Sequence, residues 1–94
     1  MPTVEVQVTN PSGLHARPAT RFVEAAGRFQ SRVTVENLDR VSRAADAKSI
    51  LMLLTIGVAR GHRIRITADG PDADAAVETL RELVASGLGE APAG

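Results

Sequence analysis

Three short stretches of this chain alternate apolar and polar residues one for one, and they limit the folds open to it. Thr3-Val4-Glu5-Val6-Gln7-Val8-Thr9 places Val4, Val6 and Val8 on one face. Ser31-Arg32-Val33-Thr34-Val35-Glu36 repeats the pattern, and Arg63-Ile64-Arg65-Ile66-Thr67-Ala68 turns Ile64 and Ile66 inward. A strict period of two marks a strand with one buried face. Strands of that kind build an antiparallel or mixed sheet whose apolar face is covered by something else.

The cover is also legible. Ala19, Phe22, Val23 and Ala26 recur at helical spacing and make one apolar stripe on a segment from about Ala16 to Gly27. Pro18 is tolerated only in a first helical turn, so the helix begins at His15 or Ala16. Lys48 to Gly57 is an apolar run in which Ser49 suits an N-cap and Gly57 a C′ position, predicting a short second helix. Not all of that run can be core. Leu53 and Ile56 are expected inside, Ile50 and Leu54 outside. Asp69-Gly70-Pro71 is a turn opening a third helix, with Pro71 near its first position and Ala73, Ala76, Val77, Leu80, Leu83 and Val84 as its stripe. Gly87 and Gly89 end that helix. Glu90 onward reads as a frayed tail of small residues, and the domain itself as 1–90. Residues 37 to 46 hold a turn and a short strand without a clean period. The order is βαββαβα.

With 94 residues the chain is one domain. A domain of this size buries only about two-thirds of its unfolded surface. It has no cysteine, so neither disulfides nor thiolate metal sites support it, and no cofactor or metal set is expected. Eleven basic residues balance eleven acidic ones, which argues against nucleic acid as a partner. No apolar run approaches the roughly 20 residues of a membrane span, so no membrane insertion and a cytoplasmic location are expected.

Chemistry is concentrated in Gly13-Leu14-His15-Ala16-Arg17-Pro18-Ala19-Thr20. A helix N-terminus favours neutral, nucleophilic imidazole over imidazolium, and its unpaired N–H groups accept an anion. Arg17 adds a planar guanidinium suited to phosphate oxygens. His62, the other histidine, precedes a strand without a supporting motif and is expected at the surface.

Asn10-Pro11-Ser12-Gly13-Leu14-His15-Ala16-Arg17-Pro18-Ala19 closely resembles the active-site segment of HPr, the histidine-containing phosphocarrier of the bacterial sugar phosphotransferase system. Lys48 to Gly57 resembles the family's serine-site segment, and Gly61 to Gly70 and Gly87-Leu88-Gly89-Glu90 follow in the family's order. The resemblance covers essentially the whole chain. It implies an α+β open-faced β-sandwich, a four-stranded antiparallel sheet with three helices on one face.

It also implies a phosphocarrier rather than an enzyme. His15 would accept a phosphoryl group from enzyme I and pass it to enzyme IIA domains. Arg17 and the main-chain N–H groups of Ala16 and Arg17 would stabilise the transferring group. Ser49 corresponds to a serine phosphorylated in some bacteria by HPr kinase/phosphorylase. Thr20, Arg21, Lys48, Ile50, Leu51 and Leu54 resemble the common docking surface, and a monomer is expected. The alternatives are the nitrogen-branch paralogue and a regulatory module read through its phosphorylation state. A histidine phosphatase is disfavoured, since no second acid–base residue accompanies His15. The chain departs from the family pattern between Glu36 and Lys48, where the connection Asn37 to Ser42 is longer than the usual tight hairpin. That segment is distant in sequence from His15, so phosphotransfer is expected to survive the change.

Overall fold

The computed structural model describes residues 1–90. Its elements are β1 (Thr3–Gln7), α1 (Ala16–Gly27), β2 (Arg32–Asn37), β3 (Ala45–Asp46), α2 (Ile50–Thr55), β4 (Arg63–Asp69) and α3 (Ala73–Ala85). The strands form one antiparallel sheet in the order β1-β4-β2-β3. The expected α+β class, strand count and βαββαβα order are what the chain adopts.

Alternation sets the register. Val4 faces Ile66 and Val6 faces Ile64 across β1–β4, while Val35 faces Ile66 across β2–β4. Val33, Val35, Ile64, Ile66 and Ala68 are fully buried beneath the helices. Phe22 of α1, Leu53 of α2, and Leu80 and Val84 of α3 close the same core from the other side. On the open face Arg65 stands opposite both Glu5 and Glu36 and reaches their carboxylates at 3.2 and 3.8 Å. These pairs are well exposed and contribute little stability.

β1 ends at Gln7, but pairing continues one residue further. Val8 N–H donates to His62 O at 2.8 Å and Gly61 N–H donates to Val8 O at 2.6 Å. The unclear stretch after β2 holds only the two-residue β3, as edge strand. The longer connection is fastened to the fold. Asp39 Oδ2 accepts from Arg63 N–H at 2.5 Å, Asn37 Oδ1 from Asp39 N–H at 3.0 Å, and Ser42 Oγ from Asn37 N–H at 3.3 Å.

One helix boundary needs correction. Pro71 lies in the turn before α3, and Asp72 is the N-cap residue. The Asp72 carboxylate does not cap its own helix. It accepts from Gln30 N–H at 2.8 Å, Ser31 N–H at 2.9 Å and Ser31 Oγ at 2.5 Å, which sews the start of β2 to the start of α3. The Ser31 hydroxyl, followed by the Gln30 amide, holds this carboxyl below the usual carboxylate range. Asp72 has non-helical backbone angles, and its side chain is committed to Gln30 and Ser31 just before β2, so the helix proper begins at Ala73.

Candidate functional site

The loop from Asn10 to Leu14 is held before it reaches His15. Gly13 N–H closes a turn onto Asn10 O at 3.2 Å, and the Asn10 amide donates to Gly13 O at 2.9 Å. Gly13 adopts φ +60, and an added Cβ would lie 2.4 Å from Val58 O. Leu14 N–H donates to that same carbonyl at 3.0 Å, and the Leu14 side chain is fully buried. The loop is thus clamped against the turn that follows α2, with backbone on backbone.

His15 comes next as the N-cap of α1, in extended conformation, and its ring makes no capping hydrogen bond. It is half-buried, while Ala16, Arg17, Thr20 and Arg21 are exposed. Ala16 enters the helix at φ +54, a left-handed conformation for a non-glycine residue. Such a geometry costs about 1–2 kcal/mol and persists only where its surroundings enforce it. The sequence carried no sign of it. Ala16 and Arg17 are in the first turn, where N–H groups have no carbonyl one turn earlier to bond. Arg17 and Arg21 form no ion pair among the described residues. Both line a shallow cavity with Pro18, Leu88, Gly89 and Glu90.

Glu90 was missed by sequence reasoning, which put it at the start of a frayed tail. Its Oε1 accepts from Ser12 N–H at 2.7 Å and from the Asn10 amide at 3.0 Å, and its Oε2 accepts from Ser12 Oγ at 2.6 Å. The Ser12 hydroxyl, then the Ser12 amide and Asn10, hold the Glu90 carboxyl below its ordinary range. The only sequence signal was that Glu90 closes the fourth stretch of resemblance. The tail expected at 91–94 lies outside the described residues.

The second helix runs antiparallel to the first. Its end lies by Gly13 through Val58, and its start lies by the end of α1, where Lys48 Nζ donates to Phe29 O at 2.7 Å. Lys48 is therefore tethered, although exposed. Ser49 caps α2, its Oγ accepting from Met52 N–H at 3.3 Å. Leu53 and Ile56 are buried; Ile50, Leu54 and Met52 are partly exposed, and Leu51 is 75% exposed. His15 and Ser49 thus lie at opposite ends of the α1–α2 pair. Ile50, Leu51 and Leu54 are set along the helix that connects these two regions.

One further residue sits differently from expectation. His62 is not a free surface side chain. Its Nδ1 accepts from Ala59 N–H at 3.1 Å and from the Asn37 amide, also at 3.1 Å, which fixes the Nε2–H tautomer and braces the turn holding Gly13. Arg40, in the long connection, lies over Gly57, with Nη1 2.6 Å from where a Cβ would be. Remote in sequence, this connection is folded against the end of α2.

The fold is a sheet open on one face, with a half-buried histidine at the mouth of a helix and exposed arginines beside it. The chain belongs to the HPr family of the phosphotransferase system: the family model described as the PTS HPr component phosphorylation site matches residues 2–86. It is 43% identical over 83 residues to a multiphosphoryl transfer protein of Haemophilus influenzae, covering 88% of this chain but 17% of that protein. The chain thus spans only a small part of the curated relatives it matches.

Solved structures agree over nearly their whole length. HPr-C-His from Thermoanaerobacter tengcongensis has a TM-score of 0.90 at 36% identity, covering 97% of this chain and 99% of that one. The phosphocarrier protein HPr from Bacillus anthracis gives 0.82 at 36% identity, with 88% and 95% covered. An HPr dimer from Thermoanaerobacter tengcongensis gives 0.73 at 37% identity, with 96% and 100% covered. Among the described residues no helix is long and apolar enough to cross a membrane.

Proposed function

We propose that this chain is a cytoplasmic phosphocarrier, not itself an enzyme, that receives a phosphoryl group from enzyme I on His15 and delivers it to enzyme IIA domains. The observation that carries the proposal is His15 itself: an uncapped imidazole at the mouth of α1, beside Arg17, inside a chain matched by the HPr phosphorylation-site model. In the receiving step the imidazole Nδ1 lone pair forms an N–P bond as the donor's own bond to phosphorus breaks. The delivering step reverses these roles. The transferring group is highly charged, so positioning and electrostatic stabilisation carry the catalysis. Arg17 and the N–H groups of Ala16 and Arg17 are the donors assigned to its oxygens.

The docking face comprises Thr20, Arg21, Lys48 and the exposed apolar side of α2, Ile50, Leu51 and Leu54. Exposed apolar side chains flanked by cations suit a partner surface that is apolar with an acidic rim. Ser49 is the site for a kinase of the HPr kinase/phosphorylase type. A phosphate there would add about −1.5 to −2 charge to the docking face and oppose an acidic partner. The protein works as a monomer, a reading checked by light scattering at working concentration.

The test is a relay. The protein is incubated with enzyme I and labelled phosphoenolpyruvate, then offered to a sugar-specific enzyme IIA domain. Acid-labile, alkali-stable label that moves on to the IIA domain is expected. Label that persists in His15→Ala overturns the assignment of His15, and label that never leaves the protein overturns its role as a carrier.

A further inference from the structure

The chain beyond α3 takes an unusual path. Gly87, Leu88 and Gly89 adopt φ values of +90, +56 and +76 in succession. Leu88 has no glycine's freedom in that region, yet it is held there: its side chain is fully buried and its N–H donates to Leu83 O at 3.0 Å. Gly87 N–H donates to Val84 O at 3.0 Å, and Glu90 N–H to Gly87 O at 2.9 Å. This reversal brings the Glu90 carboxylate to the Asn10–Ser12 loop, where it accepts the three hydrogen bonds described above. Asn10 is 3% exposed, and its single amide nitrogen bridges Glu90 and Gly13 O. The contact therefore continues through Gly13 and Leu14 to His15.

The same segment borders the arginines. An added Cβ on Gly89 would lie 3.0 Å from Arg21 Cζ, so this guanidinium rests on bare backbone. Leu88, Gly89 and Glu90 form one wall of the cavity whose other wall is Arg17, Pro18 and Arg21.

We propose that Glu90 is a positioning residue for phosphoryl transfer: through Ser12 and Asn10 it holds the loop that presents His15 to the incoming group. The inference rests on the reading of His15 as phosphoryl acceptor. Glu90 touches neither the imidazole nor, by this account, the phosphoryl group. Its effect is on how often the loop occupies the reactive placement, so it acts on turnover and not on partner affinity.

Steady-state transfer measured at varied concentrations of phosphorylated enzyme I separates the two. Glu90→Ala is expected to lower kcat about tenfold while leaving KM for enzyme I unchanged. Glu90→Gln keeps an acceptor oxygen for Ser12 N–H and Asn10 and is expected to restore most of that rate. Exchange of the Ser12 amide should quicken in Glu90→Ala and slow again in Glu90→Gln. Should Glu90→Ala fail to fold, Ser12→Ala removes only the hydroxyl contact and is expected to lower kcat about two- to threefold. Wild-type kcat in Glu90→Ala, or a loss confined to KM, overturns the inference. If wild-type protein takes no phosphoryl group on His15, the reading of the site has failed; if it does and the variants transfer normally, only the inference has failed.

Discussion

Gly13→Ala is the sharpest test of how the reactive loop is held. The native φ of +60 is left-handed, which costs an alanine about 1–2 kcal/mol. The new Cβ would also lie 2.4 Å from Val58 O, 2.8 Å from Ala59 Cα and 3.0 Å from Ala59 C. All three are backbone atoms, so no side chain can turn aside, and the loop must lift. Lifting breaks the 3.0 Å bond from Leu14 N–H to Val58 O, worth about 1 kcal/mol, and begins to expose the buried Leu14. Together these give a loss of about 2–4 kcal/mol, against a total of roughly 5–14 kcal/mol for a domain of this length. Urea denaturation should show that loss with an unchanged slope, and the melting temperature should fall by about 10–30 °C. Gly27→Ala is the control. Nothing lies within 4 Å of its added Cβ, so stability should stay within about 0.5 kcal/mol of wild type or rise slightly. A Gly13→Ala protein as stable as Gly27→Ala would refute the clamp of loop on turn.

Asp72→Asn should lower the melting temperature at pH 7, with the difference from wild type closing as pH falls. The folded carboxyl is held below the ordinary range by Ser31 and Gln30, so its stabilisation is full above that range, near 4, and is lost as pH drops through the folded value. A gap that widens in acid would contradict this. Arg17→Ala should cut phosphoryl transfer about a hundredfold in kcat with little change in unfolding, because Arg17 is exposed and forms no ion pair among the described residues. Leu51→Glu should change stability by less than about 0.5 kcal/mol, since Leu51 is 75% exposed, yet raise KM for enzyme I. An unchanged KM would remove Leu51 from the docking face.

The fold was legible where local pattern and final environment agree. Val33, Val35, Ile64 and Ile66 alternate because one face of the sheet is buried, so period and burial carry one message. Pro18 and Gly57 mark helix ends through their own backbone restrictions, without help from distant residues. The failures are long-range. Asp72 is drawn from its helix by Ser31, 41 residues away, and Glu90 is anchored by Ser12 and Asn10, 78 and 80 residues away. No window of sequence contains both partners. His62 looked unsupported because its partner Asn37 comes from the far end of β2. The two-residue β3 is defined by its pairing to β2 alone, not by any period of its own. At the site, His15, Arg17 and Ser49 were visible as residue types at helix starts, whereas the left-handed Ala16 and the Glu90 contact emerge only from the packed chain.

The proposed phosphoryl acceptor is one nitrogen, Nδ1 of His15. After phosphorylation by enzyme I and phosphoenolpyruvate, nitrogen-15 and phosphorus-31 spectra of the imidazole rings test it directly. A single phosphoramidate signal is expected, on Nδ1 of His15 and absent from His15→Ala, with the His62 ring unaltered because its Nδ1 is occupied by Ala59 and Asn37. Phosphate on His62, on a hydroxyl, or nowhere in the protein would contradict it.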